Sequence, residues 1–338
     1  MRTSAPLVSV IIPTAGARPA LLMRAVRSAL EGLPAGAVEI VVVPNGPGES
    51  TITTSQAVRE ACGTQAVRIF PLARANVSAA RNHGLSVIQG ELVRFLDDDD
   101  FLIPEVATRQ YQELLGSSAD LSSYALVIED EDRRRYETVC QWDDEDFVVA
   151  QLSRAGPQLP FPHVFKTGLV RNLRWKESYR VVEDIAWIHT VAGQREVRWI
   201  RRDDVVGVWY QHRGPRLSHP LAAHQTFFLT AESIIETVDR LGKSGRLSER
   251  RKKAAALGLW TCLHNGFFFH PLYWHGIGRA ASALDLSSHP DIALYRGAAA
   301  TILNPLLWEW LMLPKRTLNH WLRVVRARLF GVDHVRHL

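Results

Sequence analysis

The stretch Glu91-Leu-Val-Arg-Phe-Leu-Asp-Asp-Asp-Asp100 decides how this chain is read. An apolar run of strand length leads without a linker into four consecutive aspartates. Adjacent carboxylates repel one another, so folding them together is costly unless a cation or hydrogen-bond donors compensate. Carboxylate oxygens suit a hard cation such as Mg²⁺ or Mn²⁺, which can also bridge to phosphate oxygens. An isolated acidic run is usually a solvated turn. Delivery by a strand that should be buried favours a functional site here.

Toward the N-terminus the same strand-then-turn pattern repeats. Leu7-Val-Ser-Val-Ile-Ile12 reads as a buried strand stopped by Pro13. Residues 20–30 follow with Leu21, Leu22, Ala25, Val26, Ala29 and Leu30 at helical spacing. Val38-Glu-Ile-Val-Val-Val43 predicts a second strand, ended by the turn cluster Pro44-Asn-Gly-Pro-Gly48. A short helix over 55–62, a strand over 66–72, a helix over 77–89 and a fourth strand over 91–96 complete the series. Repeated β-α-β units predict a parallel sheet with helices on both faces and ligands at the carboxyl ends of its strands.

Downstream the pattern is mixed up to about residue 218, with a helix over 105–115 and strands over 123–128, 197–200 and 205–211. Beyond residue 219 strand signals cease. The chain becomes helical and rich in Trp and Phe, with breaks expected at Pro271, Pro290, Pro305 and Pro314. A boundary near residue 220 is expected.

Composition narrows the function classes. The 338 residues are 46% hydrophobic and 22% charged, which is globular and excludes a wholly disordered chain. Cys62, Cys140 and Cys262 form no C-x-x-C pair, so neither a disulfide framework nor a structural zinc site is expected, and a reducing compartment fits. The run before Pro13 is too short for a signal-peptide core. The best candidate for a membrane span, 298–313, is interrupted by Asn304, Pro305 and Glu309. Net charge is +5, and Lys315, Arg316, Arg323, Arg326, Arg328 and Arg336 against Asp333 account for all of it. A neutral body with a basic tail is not the pattern of a nucleic-acid binder. No Gly-x-Gly-x-x-Gly or Walker A loop follows any strand, which removes dehydrogenase and P-loop readings.

Four motifs, taken in order, carry a resemblance. Val8-Ser-Val-Ile-Ile-Pro-Thr14, Glu39-Ile-Val-Val-Val43, Asn76-Val-Ser-Ala-Ala-Arg-Asn-His-Gly84 and Phe95-Leu-Asp-Asp-Asp-Asp100 together resemble the family 2 glycosyltransferases of the GT-A fold. The resemblance covers roughly the first 105 residues and implies a Rossmann-like α/β fold with a mostly parallel sheet. It implies a nucleotide-sugar half over 1–105, an acceptor half over 106–220 and a helical appendage over 221–338. It further implies that Pro13, Thr14, Asp97 and Asp98 line the donor site, with Asp97 on ribose or sugar. Asp99 would hold Mg²⁺ or Mn²⁺ against the diphosphate, and Arg81 would sit near the base or the phosphates. Where the family has an aspartate for the nucleobase, this chain has Pro44-Asn45. Asn45 either supplies an amide to the base edge or simply makes a turn. A UDP-sugar is the expected donor, with another nucleotide left open by that departure.

Val182-Glu-Asp-Ile-Ala-Trp187 resembles the family's Glu-Asp element, which implies Asp184 as catalytic base toward an acceptor hydroxyl and Glu183 as its orienting neighbour. The other reading is an acidic helix N-terminus stabilised by the helix dipole. In Tyr210-Gln-His-Arg-Gly-Pro-Arg-Leu-Ser-His219, Arg213 and Ser218 are candidates to face the leaving diphosphate, and His212 to touch metal or phosphate. A solvated basic loop is the alternative. The expected activity is inverting transfer of one sugar to a glycan or lipid-linked acceptor in cell-surface glycan assembly. A non-catalytic nucleotide-binding or scaffolding component is the competing class. For residues 308–338, Trp308, Trp310 and Trp321 beside the basic positions suit a helix lying in an anionic membrane surface. A helical core or homo-oligomer contact remains the other reading. The expected location is the cytoplasm, peripheral at the inner face of the membrane.

Overall fold

The computed structural model describes residues 6–62, 66–140, 144–153, 158–212, 223–290, 292, 295 and 304–330. The chain forms two compact units, Met1–Phe147 with Gln158–Pro215, and Val148–Pro157 with Arg216–Leu338. The boundary expected near residue 220 falls outside the described residues.

The first unit runs β1 (Val8–Thr14), α1 (Pro19–Leu30), β2 (Val38–Pro44), α2 (Glu49–Cys62), β3 (Val67–Ile69), α3 (Val77–Val87) and β4 (Leu92–Phe95). It continues with β5 (Phe101–Leu102), α4 (Pro104–Leu115), β6 (Leu121–Asp130), β7 (Arg135–Val139), β8 (His163–Lys166), α6 (Thr167–Val170), α7 (Glu183–Gln194) and β9 (Trp199–Gln211), while α5 (Phe147–Leu152) belongs to the second unit from Val148 on. Among the described residues the strands form one nine-stranded sheet in the order β3-β2-β1-β4-β8-β6-β9-β5, with β7 paired to β6. β1 pairs in parallel with β2 and β4, and β2 with β3. Beyond β4 the sheet becomes mixed. β8 lies antiparallel between β4 and β6, β9 runs parallel to β6, and β5 pairs antiparallel with β9.

Every residue of β1 and β2 is buried, as strands covered on both faces require. Val8, Val10, Ile12, Ile40, Val42, Leu92 and Leu96 share one core cluster with Leu22, Ala25, Val26 and Ala29 of α1. α3 starts where Asn76 Oδ1 accepts the Ala79 amide at 2.8 Å, an N-cap that satisfies one free helical donor. It then packs hard on the sheet: a Cβ at Gly84 would lie 2.5 Å from Ile11 Cγ2. The carboxyl ends of β1, β2 and β4 thus open on one edge, with Thr14, Asn45 and Asp97 at their tips.

Several boundaries differ from expectation. The third strand is only Val67–Ile69, and Leu72 returns to the sheet through an isolated bridge to Asn45. The strands expected over 197–200 and 205–211 are one strand, β9, with irregular pairing opposite residues 124–126 of β6.

The second unit contains α8 (Ala223–Lys243), α9 (Glu249–Gly266), α10 (Pro271–Leu284) and α11 (Pro305–Phe330). α10 and α11 begin at Pro271 and Pro305, where a missing N–H is harmless. The break expected at Pro314 does not occur, because α11 continues through it. Glu309 of α11 is wholly buried and accepts from Arg316 Nη1 at 2.6 Å, contacts His264 Nδ1 of α9 at 2.7 Å and takes the Tyr295 hydroxyl. No helix among the described residues is long and apolar enough to cross a membrane.

Candidate active site

Each of the four aspartates after β4 has its own set of partners, with Arg18 shared by two of them. Asp97 Oδ1 accepts from Arg81 Nη2 at 2.7 Å. Asp98 Oδ2 takes the Thr14 hydroxyl, and its Oδ1 accepts from Arg18 Nη2 at 2.8 Å. Asp99 Oδ2 accepts from Arg18 Nη1 at 2.7 Å and lies 3.1 Å from His212 Nε2. Asp100 is buried and accepts the Tyr210 amide at 2.9 Å, which anchors β9 to the turn. Repulsion within the run is therefore answered residue by residue. Burial pushes the Asp98 carboxyl up to about 6, against the Thr14 hydrogen bond and the nearby Arg18.

Arg81 organises the other half of the site. Its guanidinium is 1% exposed and reaches Asp184 Oδ1 at 2.9 Å and Glu183 Oε1 at 3.4 Å, besides Asp97. Its charge lies 4.3 Å over the Trp175 ring, which stacks on Trp187 with centroids 4.7 Å apart. One guanidinium thus faces three carboxylates. Burial pushes the Asp184 carboxyl well up and raises Glu183 too, Arg81 pulls both down, and Asp97 raises both again. Burial alone would lower the Arg81 pKa, but the three carboxylates raise it, so this cation stays charged.

Val182, the residue before the Glu183-Asp184 pair, has φ 68° and ψ 8°, the left-handed region that a β-branched residue rarely adopts. Such strain persists where surrounding structure holds it and clusters at functional sites. It aims the first turn of α7 at Arg81, and Ala186 N closes that turn on the Val182 carbonyl at 3.0 Å.

Some expected residues serve the frame. Asn45 Nδ2 donates to the Thr14 carbonyl at 3.0 Å and its Oδ1 accepts the Asn76 amide at 3.1 Å, so its amide ties β1, β2 and α3 together. Pro13 is buried in β1 opposite Val43. Arg213 and Ser218 lie outside the described residues.

Residues that sequence reasoning missed complete the site. Arg18 follows β1 at the carboxyl edge, a position where a basic residue faces whatever the sheet binds; that placement was its only sequence signal. Arg24 donates to the Asp99 carbonyl at 2.9 Å and lies 4.1 Å over both the Phe101 and Tyr210 rings. Glu177 accepts from Asn82 at 3.1 Å and gives its carbonyl to Asn76 at 2.8 Å, which fixes the segment before α7 on α3.

The donor set fits a divalent cation. Asp99 contributes a hard oxygen and His212 an imidazole nitrogen, a combination that Mn²⁺ accepts. Among the described residues no group of three or more His, Cys, Asp or Glu is arranged to hold a metal alone. Cations of this class commonly complete their shell with substrate phosphate and water.

Comparison with known proteins agrees with this geometry. The family model described as "Glycosyl transferase family 2" matches residues 9–179, which include all of β1 but its first residue, the aspartate run and the segment bearing Trp175 and Glu177. A GalNAc(5)-diNAcBac-PP-undecaprenol beta-1,3-glucosyltransferase of Campylobacter jejuni is 25% identical over 190 residues, 54% of this chain and 59% of that protein. The uncharacterized glycosyltransferase EpsJ of Bacillus subtilis is 27% identical over 133 residues, 39% of this chain and 37% of its own. The matches therefore span less than two thirds of either curated relative. Among solved structures, S. aureus TarS 1-349 in complex with UDP-GlcNAc superposes with a TM-score of 0.56 at 15% identity, covering 83% of this chain and 90% of that one. The mannosyltransferase PcManGT from Pyrobaculum calidifontis, in complex with GDP-Man and Mn²⁺, gives 0.50 at 17% identity over 92% and 88%. The strand order, the aspartate run at the sheet edge and the family match lead to one conclusion: this chain belongs to glycosyl transferase family 2.

Proposed function

We propose that the chain transfers one sugar from a nucleotide-sugar donor to an acceptor hydroxyl with inversion, in glycan assembly at a membrane surface. The observation that carries this reading is the Arg81 clamp, in which one buried guanidinium ties donor-side Asp97 to the Glu183-Asp184 pair. A base has to act within reach of the bond it helps to form, and the clamp fixes that reach.

Arg81 engages Asp184 Oδ1, so the acceptor hydroxyl is taken at Oδ2. As the acceptor oxygen bonds to the anomeric carbon, its proton passes to Asp184 and the bond to the diphosphate oxygen breaks with its electron pair. A carboxyl raised by burial suits this task, because a base works best with its pKa nearer the working pH. Glu183 shares Arg81 Nη1 with Asp184 and orients the pair. Asp97 and Asp98 face the donor, and Asp99 with His212 would hold Mn²⁺ or Mg²⁺. Such a cation, when bound, neutralises charge that develops on the departing diphosphate. A UDP-sugar is the donor we favour. A relative named for an undecaprenol-linked acceptor and same-fold proteins solved with UDP-GlcNAc, or with GDP-Man and Mn²⁺, support the nucleotide-sugar donor, the cation and a lipid-linked acceptor.

α11 supplies the surface. Leu311, Leu318 and Trp321 are more than half exposed, and Leu313, Pro314, Thr317, Leu318 and Trp321 line a shallow apolar groove. Lys315 is exposed beside it, which favours an anionic lipid surface over a neutral partner. Arg316 is withdrawn from that role by its contact with Glu309.

Thermal shift against nucleoside diphosphates with Mn²⁺, followed by transfer assays, tests the donor reading. Asp99→Ala is expected to abolish Mn²⁺-dependent nucleotide binding, and unchanged affinity would refute the assignment. For the surface, a Leu318→Glu/Trp321→Glu variant should lose co-sedimentation with anionic vesicles at low salt while keeping nucleotide binding. Full-length chain that never co-sediments would refute the membrane reading.

A further inference from the structure

We propose that Arg18 is a displaceable counter-cation of the donor site, which holds the metal-binding groups closed until a nucleoside diphosphate draws it away. The inference rests on the metal reading above. Arg18 Nη1 donates to Asp99 Oδ2 at 2.7 Å and also contacts His212 Nε2, while Nη2 donates to Asp98 Oδ1 at 2.8 Å. Asp99 Oδ2 and His212 Nε2 are only 3.1 Å apart. Any cation held by both atoms has to touch both, and one guanidinium nitrogen already does. A divalent cation and Arg18 therefore exclude each other sterically, and their like charges exclude each other electrostatically.

The two site arginines differ in whether they can leave. Arg81 is 1% exposed, is clamped by three carboxylates and lies against Trp175. The Arg18 side chain is 30% exposed and extends from the loop before α1, so another position open to solvent is within its reach. A diphosphate offers it a stronger bidentate partner than two carboxylates already paired elsewhere. Nucleotide and metal would then bind with positive coupling, because the first removes the competitor of the second.

The test measures Mn²⁺ binding by electron paramagnetic resonance at low ionic strength, with Mn²⁺ alone and with Mn²⁺ plus UDP. Wild type should bind Mn²⁺ weakly alone and at least about tenfold more tightly with UDP, the range in which such couplings fall. Arg18→Ala should raise affinity for Mn²⁺ alone by about tenfold and erase most of the UDP dependence. Arg18→Gln, which keeps an amide against the carboxylates, should do the same and guards against an alanine variant that fails to fold. Arg18→Lys keeps a cation and should stay near wild type. Arg24→Gln removes an equal charge nearby without vacating the contact with Asp99 Oδ2 and His212, so its effect should be several times smaller. Unchanged Mn²⁺ affinity in Arg18→Ala and Arg18→Gln, with wild type binding Mn²⁺ in the presence of UDP, would overturn the proposal and spare the metal reading. Equal gains from Arg24→Gln would also overturn it. Failure of every variant and of wild type to bind Mn²⁺ with or without UDP would overturn the metal reading itself, and the proposal with it.

Discussion

Two arginine–carboxylate clusters in this chain are built to opposite ends. In the first unit, Arg18 and Arg81 answer Asp97, Asp98, Asp99, Glu183 and Asp184, so carboxylates outnumber cations. In the second unit, one buried carboxylate, Glu309, is met by Arg316, His264 and the Tyr295 hydroxyl. Burial raises Asp98, Glu183 and Asp184, whereas at Glu309 burial is outweighed by His264, Tyr295 and Arg316 and the carboxyl is lowered. A cluster with its charges and hydrogen bonds met is a structural device. One left short of positive charge is held ready for a cation or a proton that arrives with substrate.

Pressing on that contrast gives its tests. The largest effect should come from Asp184→Asn, which keeps size and hydrogen bonding but removes basicity. Turnover should drop by roughly 10²–10⁴ with donor binding and thermal stability retained. If Glu183→Gln proves the more damaging change in transfer assays, the base is the other member of the pair.

Glu309→Ala should act the other way round, lowering stability by about 3–5 kcal/mol in denaturant titrations because it strands Arg316 and His264. Nucleotide binding should be untouched. At Asp99, by contrast, Asp99→Ala should change stability by no more than about 1 kcal/mol, since it also relieves repulsion within the run. Equal losses at the two positions would dissolve the contrast.

Acidity separates the clusters with opposite signs. The folded Glu183-Asp184 pair holds protons more tightly than the unfolded chain, so its contribution to stability is lost as pH rises through the folded values. Glu309 is lowered, so its contribution is present above the ordinary carboxylate range and lost as pH falls below it. In kcat/KM the acid limb should lie above the ordinary carboxylate value of about 4. Glu183→Gln removes a like charge from Asp184 and should move that limb down. A limb that stays in place would uncouple the pair. The smallest effect is expected at Val182→Gly, which relieves the left-handed strain. Stability should change by less than about 1 kcal/mol, while turnover falls a few-fold as the aim of α7 loosens.

Much of this was legible in the sequence where a local pattern carried it. β1, β2 and β4 announce themselves as apolar runs broken only by Ser9, Glu39 and Arg94, because a strand buried on both faces has no polar alternation to hide it. The aspartate run and Glu183-Asp184 were readable for the same reason. What escaped was defined by partners. β5 has two residues and β8 four, and each exists only through the strands beside it. Arg18, Arg24 and Glu177 carry no periodicity, and only folding brings Arg18 to Asp99 across 81 positions. Asn45 shows the converse. Its turn chemistry was visible, but only the structure shows both ends of its amide engaged with backbone.

Gly84 has a consequence for how this enzyme can vary. It lies one helical turn from Arg81, and the space its missing side chain leaves is filled by Ile11. A larger residue there has to displace the Ile11 side chain or lift α3 from β1, and a shift of about 1 Å passed along the helix to Arg81 is enough to cost on the order of 10² in rate. On the proposed mechanism, catalytic output would be adjustable from a pair of apolar positions away from the polar groups of the site. Variation at residues 11 and 84 would act as a tuning screw on the clamp, because a larger residue at 84 calls for a smaller one at 11.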